Sequence, residues 1–325
     1  MTEQSDIKTP KPRTWKHRMA VVTATKDRPD QLRRLLSNLR DQSFTPEQII
    51  VVDGSDNPVA SVIDEFPELN VDYVTVRPPG LTRQKNAGVA AVRQDIDLVA
   101  ILDDDIVLHD GAMDTMMGHW DTSPADLGGA SFDMPDFIYG PHVWTKTALK
   151  RLFFVNDEEF GQVLSSGFST PLWNITNTTS CRWLGGGYTV WRKEVFDQFK
   201  FIEWYPGSGV FEDVHFSHQV NKKYKLAMVA GAHCTHVDPP APVRAQRKLG
   251  ERQIINWVYF VNNNPDLSLA RCLWACVGRM VLNFTKGVLS RQPTLVMRSF
   301  GNLQGLLAVS TGAARNKPAL SEEQS

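Results

Sequence analysis

The sequence predicts an α/β protein built on a mostly parallel sheet with helices on both faces, followed by a helical C-terminal extension. Short apolar runs rich in β-branched residues alternate with amphipathic stretches over the first hundred positions, the order of repeated strand and helix units. Those runs are apolar almost without interruption, as expected of strands buried on both sides. Size agrees: 325 residues, 42% hydrophobic and 22% charged, describe a folded chain with room for one large domain and an appendage.

Residues 1–17 hold little that can be buried and are expected to form a flexible tail. MAVVTA, from Met19, is the first strand, and Pro29 and Asp30 open the helix DQLRRLLSNLRDQ, with Leu32, Leu35, Leu36 and Leu39 on one face. QIIVVDG repeats the strand signal, SVIDEF is a short helix, VDYVTV a third strand, TRQKNAGVAAVRQ a helix, and DLVAILDDDIV a fourth strand. In such a sheet, ligands bind beyond the carboxyl ends of the strands. Residues 124–182, punctuated by Pro124, Pro135, Pro141 and Pro171, are expected to be irregular loops around a site. WLGGGYTVWRKEVFDQF then restores order as a turn, a strand and the start of a helix. The expected division is a tail over 1–17, a catalytic domain over 18–245 and a helical region over 246–325.

Several functions are excluded early. A net charge of −1 provides no general attraction to nucleic acid. The four cysteines form no C-x-x-C pair, which argues against structural zinc and a disulfide framework. The polar N-terminus has no apolar signal core, so a reducing cytoplasm is expected. No G-x-G-x-x-G follows the first strand and no P-loop occurs, so a nicotinamide dehydrogenase and a P-loop NTPase are set aside.

Three clusters carry candidate chemistry. Asp103, Asp104 and Asp105 close the run LVAIL. Adjacent carboxylates repel one another and need a cation or donors nearby, although a solvated acidic turn is the plainer reading. Glu212 and Asp213 follow the turn PGSG; Asp213 suits either a helix N-cap or a general base. His233 and His236, spaced by three on an extended run, point to opposite sides, so one at most joins a shared site.

In order, VVTATKDRPDQL, IIVVDGSD, GLTRQKNAGVAAV, ILDDDIV, WLGGGYTVWRKEVF, FEDVHFSHQV and the histidine of CTHV resemble the inverting family 2 glycosyltransferases of the GT-A fold, over roughly residues 18–240. The resemblance implies a nucleotide-sugar donor held by Thr25 and Arg28, with Asp53 near its base or ribose. It implies cations at Arg83 and Lys85 for the diphosphate, where a solvated helix face is the alternative. Asp105 and His236 then fall at a divalent metal, Mn²⁺ or Mg²⁺, with Asp103 and Asp104 toward the ribose. Asp213, beside Glu212, corresponds to the catalytic base. Trp183, Gly186 and Trp204 fall where sugars lie, with core packing the alternative for both tryptophans.

The expected reaction is metal-dependent transfer from a nucleotide-diphosphate sugar, UDP-sugar favoured, to the hydroxyl of a lipid-linked or growing cell-surface glycan. A sugar nucleotidyltransferase would carry a glycine-rich basic loop after the first strand, and VTATKDRPD has none. A silent nucleotide-sugar-binding module would have lost the carboxylates, which are present.

Charge is uneven along the chain. From Leu267 to Leu320 there are seven basic residues and no Asp or Glu, so the remainder is acidic. Leu269, Leu273, Val277, Met280, Val281, Phe284 and Val288 share one helical face, opposite Arg271, Arg279 and Lys286. Such a helix suits an anionic membrane interface or packing on the domain with its basic face solvated. The absence of acids favours the membrane, which gives a peripheral position on the inner face of the cell membrane.

Overall fold

The computed structural model describes residues 14–135, 147–156, 159–171, 174–207, 209–238 and 241–315. The predicted alternation forms its first half: β1 (Met19–Thr25), α1 (Pro29–Asp41), β2 (Gln48–Asp53), β3 (Val71–Thr75), α2 (Leu81–Ala90) and β4 (Leu98–Leu102). β1 pairs in parallel with β2 on one side and β4 on the other, and β2 continues to β3. The strand order therefore reverses between β1 and β4, the switch point at which α/β sheets bind ligands. SVIDEF is a 3-10 turn, Ala60–Glu65.

The second half is mixed. After β5 (Ile106–Leu108), α3 (Ala112–Thr122), β6 (Leu127–Asp133), α4 (Thr147–Leu152), β7 (Thr179–Cys181), β8 (Tyr188–Arg192), α5 (Glu212–Asn221) and β9 (Lys225–His236), the sheet runs β3-β2-β1-β4-β8-β6-β9-β5, with β7 also on β9. β8 lies antiparallel between β4 and β6.

Three expectations are corrected. The stretch 124–182 is not wholly irregular, because LGGASFD is the fully buried strand β6. Its glycines are spacers: a Cβ on Gly128 would lie 2.5 Å from Tyr224, and one on Gly129 2.5 Å from Trp191. Pro141 lies outside the described residues. The helix expected after β8 is only a 3-10 turn, Lys193–Val195. Most of the proposed tail, 1–13, also lies outside them, but Trp15 packs edge-on against Phe44, and Lys16 bonds Asp121, so order precedes residue 18.

The C-terminal region is helical: α6 (Gln246–Asn262), α7 (Leu269–Leu289) and α8 (Pro293–Ser310). These helices meet through small residues. A Cβ on Gly301 would lie 2.0 Å from the Arg247 carbonyl oxygen, and one on Gly250 2.3 Å from that of Arg298. Asn302 donates to Gly250 O and accepts from Asn283, so buried polar groups join all three helices. α7 buries Cys272, Ala275, Cys276, Gly278, Asn283 and Gly287. None of the seven apolar residues of its predicted face is buried. The packed face is thus the small one, and on the basic face Arg271 bonds Ser165 and lies over Phe154, while Arg279 lies over Phe168.

Candidate functional site

Two clefts open at the carboxyl edge of the sheet. The first, of about 410 Å³, lies at the β1/β4 switch point and is lined by Thr25, Lys26, Arg28, Pro79, Gln84, the three aspartates 103–105 and His236. Helix α2 reaches it because Gly88 sits flat on the sheet, where a Cβ would be 2.3 Å from Val22. Gln84 then donates to the carbonyls of Thr25 and Val52, tying α2 to the ends of β1 and β2.

The aspartates have distinct surroundings. Asp104 is buried, accepts from Thr25 Oγ1 at 2.8 Å and pairs with Arg28 at 2.9 Å. Its burial outweighs Arg28 and lifts its carboxyl to about 6. Asp105 is also raised by burial, against the pull of His236 and Arg28. Its Oδ1 is buried and makes no hydrogen bond, with His236 Nε2 3.3 Å away. An orphaned carboxylate oxygen beside an imidazole nitrogen fits a divalent cation. Among the described residues no three His, Cys, Asp or Glu side chains are grouped to hold a metal unaided. His233 turns the other way, toward Asp133, as the spacing implied.

The second cleft, of about 420 Å³, shares Leu81, Asp103 and His236 with the first and extends past Gly185–Gly187 to Trp183, Glu212, Asp213, Gln253, Trp257 and Arg279. The glycines let acids approach the backbone: a Cβ on Gly187 would lie 2.1 Å from Asp103, and one on Gly186 2.6 Å from Glu212. The alternative of Asp213 as a helix N-cap is not what the structure shows. Helix α5 begins at Glu212 after Phe211, which is held at φ +76° and stacks on Trp257. Left-handed backbone at a non-glycine residue is strained by about 1–3 kcal/mol, and here it aims the two acids. Both lie in the first helical turn, where the dipole favours negative charge. Burial nevertheless raises the Asp213 carboxyl, and takes Glu212 up to about 7 despite Lys85.

Comparison with known families then decides what this edge belongs to. Residues 20–167 match the family described as glycosyl transferase family 2. This chain therefore carries a glycosyl transferase family 2 segment. The matched segment contains the first cleft's strand ends, from Thr25 to the aspartates. Solved glycosyltransferases share the fold. The mannosyltransferase PcManGT from Pyrobaculum calidifontis, in complex with GDP-Man and Mn²⁺, has a TM-score of 0.56 at 15% identity over 95% of this chain and 90% of its own. S. aureus TarS 1–349 has 0.51 at 15%, over 89% and 81%. A search of curated proteins finds no match.

In this glycosyltransferase the sequence-predicted residues divide into two groups. Thr25, Arg28, Asp103, Asp104, Asp105 and His236 line the first cleft, and Trp183, Gly186, Glu212 and Asp213 the second. Four others do not come to either. Asp53 is fully buried, and its carboxylate accepts from Ser55 N, Val59 N and Tyr73 Oη. Burial would raise it, yet those bonds hold it below its ordinary value, so it organises the loop after β2 rather than a base or ribose. Lys85 lies beneath the site, donating to Glu212 at 2.7 Å and Gly186 O at 2.8 Å, so it positions the acid instead of reaching diphosphate. Burial alone would lower its pKa; Glu212 and Asp103 raise it. Arg83 turns to the Pro78 carbonyl and Glu203. Trp204 is buried and stacks on Tyr259 at 3.6 Å, which is core packing.

Arg28 also differs from expectation, since its fork is held by Asp104, Asp105 and Asp238. Asp238, Gln84, Gln253 and Arg279 were not singled out for the site. Of these only Arg279 had a signal, a cation on an acid-free helix.

Proposed function

We propose that this glycosyltransferase moves a sugar from a nucleoside-diphosphate donor to an acceptor hydroxyl in one in-line displacement that inverts the anomeric carbon. The junction of the two clefts supports this reading. The aspartates line the first, Asp213 the second, and Asp103 and His236 border both. Donor diphosphate in the first cleft and acceptor in the second bring the reacting groups to that border.

Asp213 takes the acceptor proton, and its raised pKa makes it a stronger base than an ordinary aspartate. Glu212 is tied through Oε1 to Lys85 and supports Asp213 from behind. Asp105 and His236 would hold a divalent cation, Mn²⁺ or Mg²⁺, which when bound offsets charge on the diphosphate. The donor base, expected from the sequence to be that of a UDP-sugar, is decided by titration.

The acceptor is an amphiphile, a lipid-linked glycan. α7 lends Arg279 to the second cleft, while its outer side exposes Leu273, Trp274, Val281, Phe284 and Val288. Phe284 meets Phe300 of α8 edge-on, so the exposed apolar surface spans both helices. Among the described residues no helix is long and apolar enough to cross a membrane. The protein lies peripherally on an anionic one, on its inner face.

Calorimetric titration with UDP and with GDP, in Mn²⁺ and then in EDTA, tests the donor site. Affinity for one of them should fall on chelation, and Asp105→Asn should weaken the metal-assisted binding; equal affinities would contradict the reading. Asp213→Asn should lower turnover by about a hundredfold or more while nucleotide affinity stays constant.

A further inference from the structure

The second cleft contains a cation that the transfer reaction does not use. Arg279 lines it together with Phe168, Trp183, Gln253 and Trp257. Its guanidinium lies 6.0 Å from the centre of the Phe168 ring, and its Nε is buried with no hydrogen bond. Among the described residues it has no ion-pair partner. None can come from its own helix or the next, since residues 267–320 contain no acid. A half-buried arginine without an anion is costly to desolvate, and a ligand anion would remove that cost.

The surroundings narrow the ligand. Lys286 lies two turns along the same helix, about 10 Å from Arg279 along the axis. Burial, Arg279 and Lys150 of α4 together hold the Lys286 ammonium below its ordinary value, so positive charge converges along this side of α7. Several cations with a planar fork among them suit a phosphate, which carries more charge than a carboxylate and accepts two parallel bonds. Gln253 Oε1, also buried and without a partner, is an acceptor suited to a sugar hydroxyl in the same cleft. Exposed Leu152 and Phe154 beside α7, with Phe284 on it, border this region with apolar surface.

We infer that Arg279 binds a phosphate group on the acceptor and so sets acceptor specificity. This rests on the assignment of the second cleft to the acceptor. The phosphate could belong to a lipid phosphate or to a soluble phosphorylated acceptor.

Full-length protein is titrated with dodecyl phosphate, dodecyl maltoside and inorganic phosphate, below micellar concentrations. Tryptophan fluorescence is followed, since Trp183 and Trp257 line the cleft. Nucleoside diphosphate and Mn²⁺ are present to fill the donor cleft. Dodecyl phosphate should bind, and Arg279→Gln should weaken it about tenfold or more, with Arg279→Lys between the two. Dodecyl maltoside should bind more weakly and respond little to R279Q. Tighter binding of dodecyl phosphate than of inorganic phosphate assigns the lipid source; equal binding assigns the soluble one, and both support the site. No binding of either phosphate, or equal binding by wild type and R279Q, would overturn the inference. Nucleotide titration of R279Q is the separate arm: intact donor binding shows a folded protein. Failure of the wild type to bind nucleotide would defeat the donor assignment and leave the phosphate result to stand alone.

Discussion

On α1, Leu32, Leu35, Leu36 and Leu39 are all fully buried against the sheet, whereas on α7 the equivalent stripe, from Leu269 to Val288, has no buried member. The two patterns have the same helical period, yet one faces the core and the other faces out. The difference lies in the opposite faces. α1 has charged residues there, including Arg33 and Arg40. α7 has Ala275, Gly278, Asn283 and Gly287, small enough for close contact and able to hydrogen-bond. Packing through glycine and asparagine is the means by which helices associate where large apolar residues gain nothing by turning inward. An amphipathic pattern therefore identifies two faces without saying which one packs.

The largest test of this contrast is a pair of truncations followed by urea unfolding. Leu36→Ala should cost about 2–5 kcal/mol, because it empties a filled core. Phe284→Ala should stay within about 0.5 kcal/mol. A comparable loss at both sites would mean that α7 buries its stripe in solution. Gly301→Ala should come next, at about 1–3 kcal/mol, since the added methyl meets the Arg247 carbonyl rather than open space. A neutral result would show that α6 and α8 do not pack closely.

A pH effect separates the buried charge of the sheet domain from the acid-free helices. Glu212 titrates near 7 when folded against about 4.5 ordinarily, so between these values the folded state holds a proton that the unfolded chain releases. Its contribution is complete below about 4.5 and is lost as pH rises through about 7. Wild-type stability should fall relative to Glu212→Gln over that window, and parallel melting-temperature profiles would contradict the burial.

The sheet half was legible because buried parallel strands are continuous apolar runs, and α2 and the aspartates follow from that order. β6 was not, because Gly128 and Gly129 look like breakers until Tyr224 and Trp191 are seen to occupy the space beside them. Asp105 was found because the aspartates follow β4, and Thr25, at the end of β1, through the family resemblance. Asp53 and Lys85 misled because position along a strand or helix does not tell whether a side chain opens to the cleft or is satisfied inside. Arg279 was noticed as charge on an amphipathic basic helix, and its direction depends on the packing choice that periodicity leaves open.

Co-sedimentation with anionic vesicles most directly tests the claim that the outward face of α7 and α8 brings a glycosyltransferase cleft to a membrane. Full-length protein should pellet with the vesicles, more so with added anionic lipid and less so in high salt, and a Phe284→Ser, Val288→Ser, Leu307→Ser triple variant of unchanged stability should stay in solution. A wild-type protein that remains in the supernatant, or a triple variant that pellets equally, would contradict the account.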